Sequence, residues 1–169
     1  MTARTTARTT GGGGGFVIDT ELGAIALAFE AAAAPVTAAH FKTLVGDGLY
    51  DGCCFYRSDF VIQMGNTDHA TGGVNPNPRA DLPVNETKLS NLRGTMSVAH
   101  WDVPDNGNCQ VFINLQDNAH LDEAYGGYAV FARVAPDDAD SFATVGEIAR
   151  VIAEKEGHRV LIRTVRLVE

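Results

Sequence analysis

The chain is expected to fold as a mostly antiparallel β-barrel with a helix over each open end. Three observations point there. Short strand-like runs recur from Phe16 to Val168, several with the period-two alternation of half-buried strands. Only two segments carry helical spacing, too few to act as crossovers for a parallel sheet of this many strands. The long run from Thr67 to Lys88 is rich in Gly, Asn, Pro and Asp and reads as loop. Closing the sheet into a barrel also removes edges that would otherwise invite aggregation.

Residues 1–15 stand apart from that pattern. A repeated TARTT-type stretch from Thr2 to Thr10 and five glycines, Gly11 to Gly15, cannot bury a core. A disordered tail and linker are expected there, with the folded domain at 16–169. The acid-free, Arg- and Thr-rich start leaves an organellar transit segment as the alternative. The glycines precede a strand and do not spell GxGxxG, so a dinucleotide role is excluded.

Phe16-Val17-Ile18 opens the first strand, and Thr20-Glu21-Leu22-Gly23 is its turn. Ile25, Leu27 and Phe29 then alternate with alanines in a second strand. Pro35 suits a first helical turn. Thr37, Phe41, Leu44 and Val45 follow at helical spacing, and Gly46-Asp47-Gly48 stops that helix. Cys53 to Gln63, Gly94 to Ala99, Val111 to Leu115 and Tyr128 to Val134 read as strands. A second helix is expected from an N-cap near Asp140, with Phe142, Val145, Ile148 and Ile152 on its apolar face. The last strand, Val160 to Val168, should alternate at Leu161, Arg163, Val165 and Leu167.

The chain has 169 residues, of which 45% are hydrophobic and 20% charged, which suits one soluble domain. Its formal charge is -8; without Arg4 and Arg8 the remainder is near -10. That balance argues against nucleic-acid binding, which needs a cationic surface, and allows neutral or basic peptide partners. Cys53, Cys54 and Cys109 form no CxxC pair, and neighbours on a strand point to opposite faces. Three reduced thiols in a cytoplasmic setting are expected. No apolar run approaches the ~20 residues needed to span a bilayer, and the start lacks the apolar stretch of a secretory signal. No membrane contact is expected, and a monomer is.

Familiar chemistries find no motif. GxSxG, a Walker loop and HExxH are absent, and the five histidines form no close pair. His40 is expected at the surface or boundary of the first helix. Asp137, Asp138 and Asp140 lack EF-hand spacing and are expected to be a solvated helix entrance. A zinc site from Cys109, His100 and His120 is set aside, so no metal and no cofactor are expected. Arg57 is harder to dismiss. It ends an apolar run, and Gln63 follows six residues on, so an unbroken strand would put both on one face. With Phe60 and Phe112 they would make an apolar trough with polar ends, the shape of a peptide site. The other role for Arg57 is a plain barrel-surface arginine.

Phe55-Tyr56-Arg57 followed by Phe60-Val61-Ile62-Gln63-Met64-Gly65 resembles the F-H-R-x-x-x-G-F-M-x-Q-G-G motif of the cyclophilins. Gly94 to Ala99 resembles that family's G-T-L-S-M-A strand, and Gln110-Val111-Phe112-Ile113-Asn114 resembles Q-F-F-I-N. Asp117 to Asp122 followed by Tyr128-Ala129-Val130-Phe131 resembles D-N-x-x-L-D…V-F-G-K-V. Ala34 to Thr37 and Gly48 to Gly52 resemble its first helix and following strand. The likeness runs over about 16–169. It implies an eight-stranded antiparallel barrel with two helices and peptidyl-prolyl cis-trans isomerase activity on proline-containing peptides or proteins, assisting their folding. By position, Arg57 is similar to the catalytic arginine and Gln63 to the glutamine that orients the substrate. Phe60, Phe112 and Leu121 resemble the walls of the proline pocket, with Val61 in place of its methionine. Ala99 and His100 resemble the strand end that meets the substrate backbone, and Tyr128 stands where many members carry histidine. His120 replaces the tryptophan of strong cyclosporin binders, so weak cyclosporin binding is expected. Trp101 falls in a stretch one residue longer than usual and is not expected to be that tryptophan.

The resemblance departs at one telling place. The family has four residues between its arginine and phenylalanine, and this chain has only Ser58 and Asp59. Two alternatives to the enzyme therefore keep the fold. One is a proline-peptide binding module of weak or no activity, and the other is a scaffold barrel working through its tail or acidic surface.

Overall fold

The computed structural model describes residues 14–169, so the expected tail and transit segment lie, up to residue 13, outside the described residues. Gly15, expected in the linker, instead opens strand β1 (Gly15–Thr20), where it pairs with Ala28 and Val168. A Cβ at Gly15 would come within 2.3 Å of the Leu27 carbonyl oxygen, which is why only glycine fits.

After β1 come β2 (Gly23–Phe29), helix α1 (Pro35–Gly46), β3 (Cys53–Ser58), β4 (Val61–Asp68), β5 (Thr95–Val98), β6 (Val111–Asn114), β7 (Val130–Arg133), helix α2 (Ala139–Glu154) and β8 (Val160–Val168). The strands form a closed barrel in the order β1-β2-β7-β5-β6-β4-β3-β8, and every neighbouring pair is antiparallel. The expected eight-stranded barrel with two helices is the observed architecture.

Alternation decides what fills it. Ile62 and Met64 of β4, Val111 and Ile113 of β6 and Met96 of β5 join Phe16, Ile18, Ile25, Leu27 and Phe55 in the main core. Helix α1 inserts Phe41 into this core, with ring centroids 4.6 Å from Phe16, 5.4 Å from Tyr50 and 5.1 Å from Phe131. Its N-cap residue, Ala34, has no side-chain oxygen. Glu86, in the loop before β5, takes that role: its carboxylate accepts from the Thr37 amide at 2.7 Å and the Thr37 hydroxyl at 2.8 Å. Helix α2 buries Val145, Ile148 and Ile152, and Ser141 Oγ accepts from the Ala26 amide of β2 at 2.9 Å.

Three local expectations are corrected. The run from Cys53 to Gln63 is not one strand but a hairpin, because the chain reverses at Asp59 and Phe60 and β4 then continues to Asp68. The N-cap of α2 is Asp138, not Asp140, since its carboxylate accepts from the Ser141 amide. In β8 the buried residues are Val160, Ile162 and Val165, while Arg163 and Leu167 are exposed. Opposite Asp19 and Thr20 the register slips, pairing Thr20 with Ile162 and Asp19 with Thr164, so Arg163 is an extra residue and the alternation changes phase there.

Candidate active site

The β3–β4 hairpin sets Arg57 directly across from Gln63. Phe55 pairs with Met64, so Tyr56 is one residue too many on β3, a β-bulge. An ordinary strand would turn Tyr56 away from Arg57; the bulge lets both side chains reach Gln63. Arg57 Nη1 donates to Gln63 Oε1 at 2.9 Å, and Gln63 Nε2 donates to the Tyr56 hydroxyl at 2.8 Å. The Tyr56 hydroxyl donates in turn to Gln110 Oε1, and Gln110 Nε2 donates to Asn66 Oδ1 at 3.2 Å. Since a guanidinium can only donate, the direction of every bond in this chain is set from the arginine end. Gln110 lies across Gly65, where a Cβ would stand 2.0 Å from its Nε2. The glycine is what leaves that glutamine its place.

Beside these polar groups lies a second, small apolar cluster outside the barrel core. Val61, Phe112 and Leu121 are buried together, with Phe60, Ala99 and Tyr128 packed around them. Val61 and Phe112 occupy the alternate positions of β4 and β6 whose neighbours Ile62, Val111 and Ile113 fill the barrel interior. The Arg57 guanidinium sits 5.3 Å from the Phe60 ring centroid, within cation–π range. His120 stands edge-on to Phe60 at 5.0 Å and is exposed. His100 stacks on Tyr128 at 4.2 Å, and Tyr128 meets Phe112 edge-on at 5.7 Å. Both nitrogens of His100 face carbonyl oxygens, Trp101 O at 2.8 Å and Gly127 O at 2.7 Å, and this holds its ring against Tyr128. Trp101 itself is 82% exposed.

A buried polar network supports this cluster from behind. Asn118 Nδ2 donates to the Phe60 carbonyl at 3.1 Å and to Asn114 Oδ1 at 2.9 Å. Asn91 Nδ2 donates to the Tyr128 carbonyl at 3.1 Å and to Asp122 Oδ1 at 2.9 Å. Burial works against ionisation of Asp122, but hydrogen bonds from Ser90 and from the side chain and backbone of Asn91 outweigh it and hold this carboxyl below its ordinary value. Burial pushes the Tyr56 and Tyr128 phenols up, so both are neutral hydroxyls at physiological pH. Among the described residues, no three His, Cys, Asp or Glu side chains come together as a metal site.

The model of the family described as "cyclophilin type peptidyl-prolyl cis-trans isomerase/CLD" matches residues 16–168. The chain belongs to this cyclophilin family. It is 36% identical over 124 residues to the peptidyl-prolyl cis-trans isomerase A of Dickeya dadantii, a match covering 70% of this chain and 64% of that protein. It is 35% identical over 124 residues to a peptidyl-prolyl cis-trans isomerase of Synechococcus elongatus, covering 72% and 81%. Thus the chain spans less than two thirds of the Dickeya relative's length. Among solved structures, a cyclophilin-type isomerase of Cryptosporidium parvum superposes with a TM-score of 0.74 at 22% identity, covering 92% of this chain and 98% of that one. A cyclophilin of Hirschia baltica gives 0.75 at 16% identity, covering 95% and 76%. These two establish the shared fold.

The residues expected from the cyclophilin resemblance converge: Arg57, Gln63, Phe60, Val61, Ala99, His100, Phe112, His120, Leu121 and Tyr128 gather in and around one apolar cluster with a polar edge. Sequence reasoning missed Tyr56 and Gln110 as parts of the site. Gln110 had a signal, because it lies two residues before Phe112 and so on the same side of its strand. Tyr56 had none, because a bulge leaves no mark in the alternation. Asp59 entered only as part of a shortened connection, yet its Oδ2 accepts from Arg57 Nε at 2.8 Å.

Proposed function

We propose that this cyclophilin accelerates rotation about Xaa-Pro bonds in peptides and proteins, assisting protein folding, with Arg57 as the catalytic donor. Rotation is slow because it breaks amide resonance, a barrier of ~18–20 kcal/mol. In the twisted transition state the prolyl nitrogen regains its lone pair and becomes an acceptor, which the planar ground state is not. A guanidinium donating there stabilises the transition state selectively. About 3–6 kcal/mol of such stabilisation would raise the rate by roughly two to four orders of magnitude. One observation supports Arg57 best. Its Nε and one N–H of Nη1 are held by Asp59 and Gln63, while its other N–H groups make no hydrogen bond to the described residues. That leaves free donors on a fixed plane, beside the apolar cluster of Phe60, Val61, Phe112 and Leu121. Phe60, Val61, Phe112 and Leu121 would grip the ring, with Tyr128 and His120 at its rim. The backbone at Ala99 and His100 would hold the substrate chain.

The partners proposed are proline-containing peptides and proteins; a related Cryptosporidium parvum structure was determined in the presence of the dipeptide Ala-Pro. The acidic balance supports neutral or basic clients over nucleic acid. His120, in the place of the tryptophan of strong cyclosporin binders, supports weak cyclosporin binding, and three free, buried cysteines support a cytoplasm-like compartment; a monomer is proposed. Burial pushes the Cys54 thiol up to about 11 and keeps it unreactive.

Protease-free exchange NMR on a short Xaa-Pro peptide tests the proposal. Faster cis–trans exchange is expected with the native chain, and Arg57→Ala should lose most of it while staying folded. An unchanged rate in Arg57→Ala overturns the assignment. Saturable peptide binding without acceleration would favour the binding module, and neither effect would favour the scaffold.

A further inference from the structure

We propose that Asp59 is a positioning residue for Arg57, and that its carboxylate makes the shortened β3–β4 connection workable. This rests on the proposed role of Arg57 in prolyl isomerisation.

The hairpin gives Asp59 two jobs in one side chain. Oδ1 accepts from the Val61 amide at 3.1 Å, and the Asp59 amide donates to the Val61 carbonyl at 3.0 Å. These two bonds close the turn and fix the direction of the carboxylate. Oδ2 is then left to accept from Arg57 Nε at 2.8 Å. The base of the hairpin is fixed independently, because Ser58 Oγ donates to the Ala149 carbonyl of α2 at 2.8 Å.

Arginine carries three methylene links and much rotamer freedom, so a lone contact would leave its plane free to swing. Gln63 holds Nη1 and Asp59 holds Nε. Anchors at Nε and at Nη1, on opposite sides of a rigid planar fork, define its plane, and both N–H groups of Nη2 at its tip are left without a hydrogen bond to the described residues. The Phe60 ring, 5.3 Å away, limits motion out of that plane. The pair is 42% and 43% exposed, so its worth to overall stability is small. Its consequence lies in the geometry of a donor group, where a misplacement of about 1 Å can cost around a hundredfold in rate.

Asp59→Asn separates these jobs. The amide oxygen keeps the bond from Val61, whereas the amide nitrogen meets Arg57 Nε–H donor to donor. Isomerisation kinetics should show kcat reduced about tenfold, with KM within about twofold and the thermal unfolding midpoint nearly unchanged. Asp59→Glu, which restores the acceptor, should recover part of the loss. In an Arg57→Ala background Asp59→Asn should change nothing further, because Asp59 acts through Arg57. Native kcat in Asp59→Asn, or an equal loss in both backgrounds, overturns the inference while leaving the role of Arg57 intact. If the native chain shows no isomerisation, the functional proposal fails instead. The positioning is then decided by the Arg57 Nε–H resonance in ¹⁵N NMR. Slow exchange in the native chain that becomes fast in Asp59→Asn supports it, and fast exchange in both overturns it.

Discussion

Arg57 Nη1 lies 2.9 Å from Gln63 Oε1 because the two residues face each other across a hairpin. Six positions apart on one continuous strand they would share a face but stand about 20 Å from each other, at ~3.3 Å of rise per residue. Only the reversal at Asp59 and Phe60 brings guanidinium and amide into contact. Gln63 is therefore a support for the arginine, beside the substrate contact proposed for it.

Gln63→Ala should consequently lower isomerisation more than its distance from the reacting bond suggests. It removes the Nη1 anchor and leaves Arg57 held through Nε alone. A loss of roughly ten- to a hundredfold in kcat/KM is expected, with the barrel intact by circular dichroism. Native kcat/KM in this variant would show that Arg57 needs no help from across the hairpin.

Tyr56→Phe should be much milder. The hydroxyl accepts from Gln63 Nε2 and donates to Gln110 Oε1, so its removal breaks two bonds. Gln63 Nε2 already lies 3.4 Å from Gln110 Oε1, and a small shift lets these two atoms bond directly. The expected cost is about 1 kcal/mol in denaturant unfolding and only a few-fold in rate. A loss as large as that of Gln63→Ala would mean that the phenol itself meets the substrate.

What could be read in advance, and what could not, follows from this same region. The alternation of Ile25, Leu27 and Phe29 and the helical spacing of Thr37, Phe41, Leu44 and Val45 reflect burial on one face, so strands and helices were legible. The β3–β4 reversal was not, because the turn-prone pair Ser58-Asp59 is flanked on both sides by apolar runs that read as one continuous strand. Neither were the bulges at Tyr56 and Arg163, since an extra residue changes the phase without changing the composition. At α2 three acidic residues could all cap, and only the hydrogen bond to Ser141 selects Asp138. The residues of the proposed site were picked out through motifs, but the bonds of Tyr56 and Asp59 depend on backbone irregularities that motifs do not carry.

Glu86→Ala should destabilise the protein from outside the site. Helix α1 opens at Ala34 without a capping side chain, and Glu86 alone accepts from the Thr37 amide and hydroxyl. Losing that cap should cost about 1 kcal/mol, or roughly 2–4 °C in Tm for a domain of this size. Glu86→Gln keeps the acceptor oxygen and should cost less. Equal Tm values for Glu86→Ala and the native chain would show that water replaces the cap at no cost.

Asp122 should make stability depend on acid. Its carboxyl is held below its ordinary value by Ser90 and Asn91, against the opposing effect of burial. The folded state therefore binds this proton less readily than the unfolded chain. The corresponding stability is fully present above the unfolded value, about pH 3.9, and is lost as pH falls through the lower folded value. Asp122→Asn keeps an acceptor for the Asn91 amide but cannot titrate. In urea unfolding between pH 2 and 6 the native chain should lose stability more steeply below about pH 4 than Asp122→Asn. Because Asn91 also donates to the Tyr128 carbonyl, acid should loosen the Tyr128 side of the pocket, visible as a shift of the Tyr128 ring resonances. Parallel pH profiles for the two proteins would show that the hydrogen bonds to Asp122 add nothing specific to its ionised form.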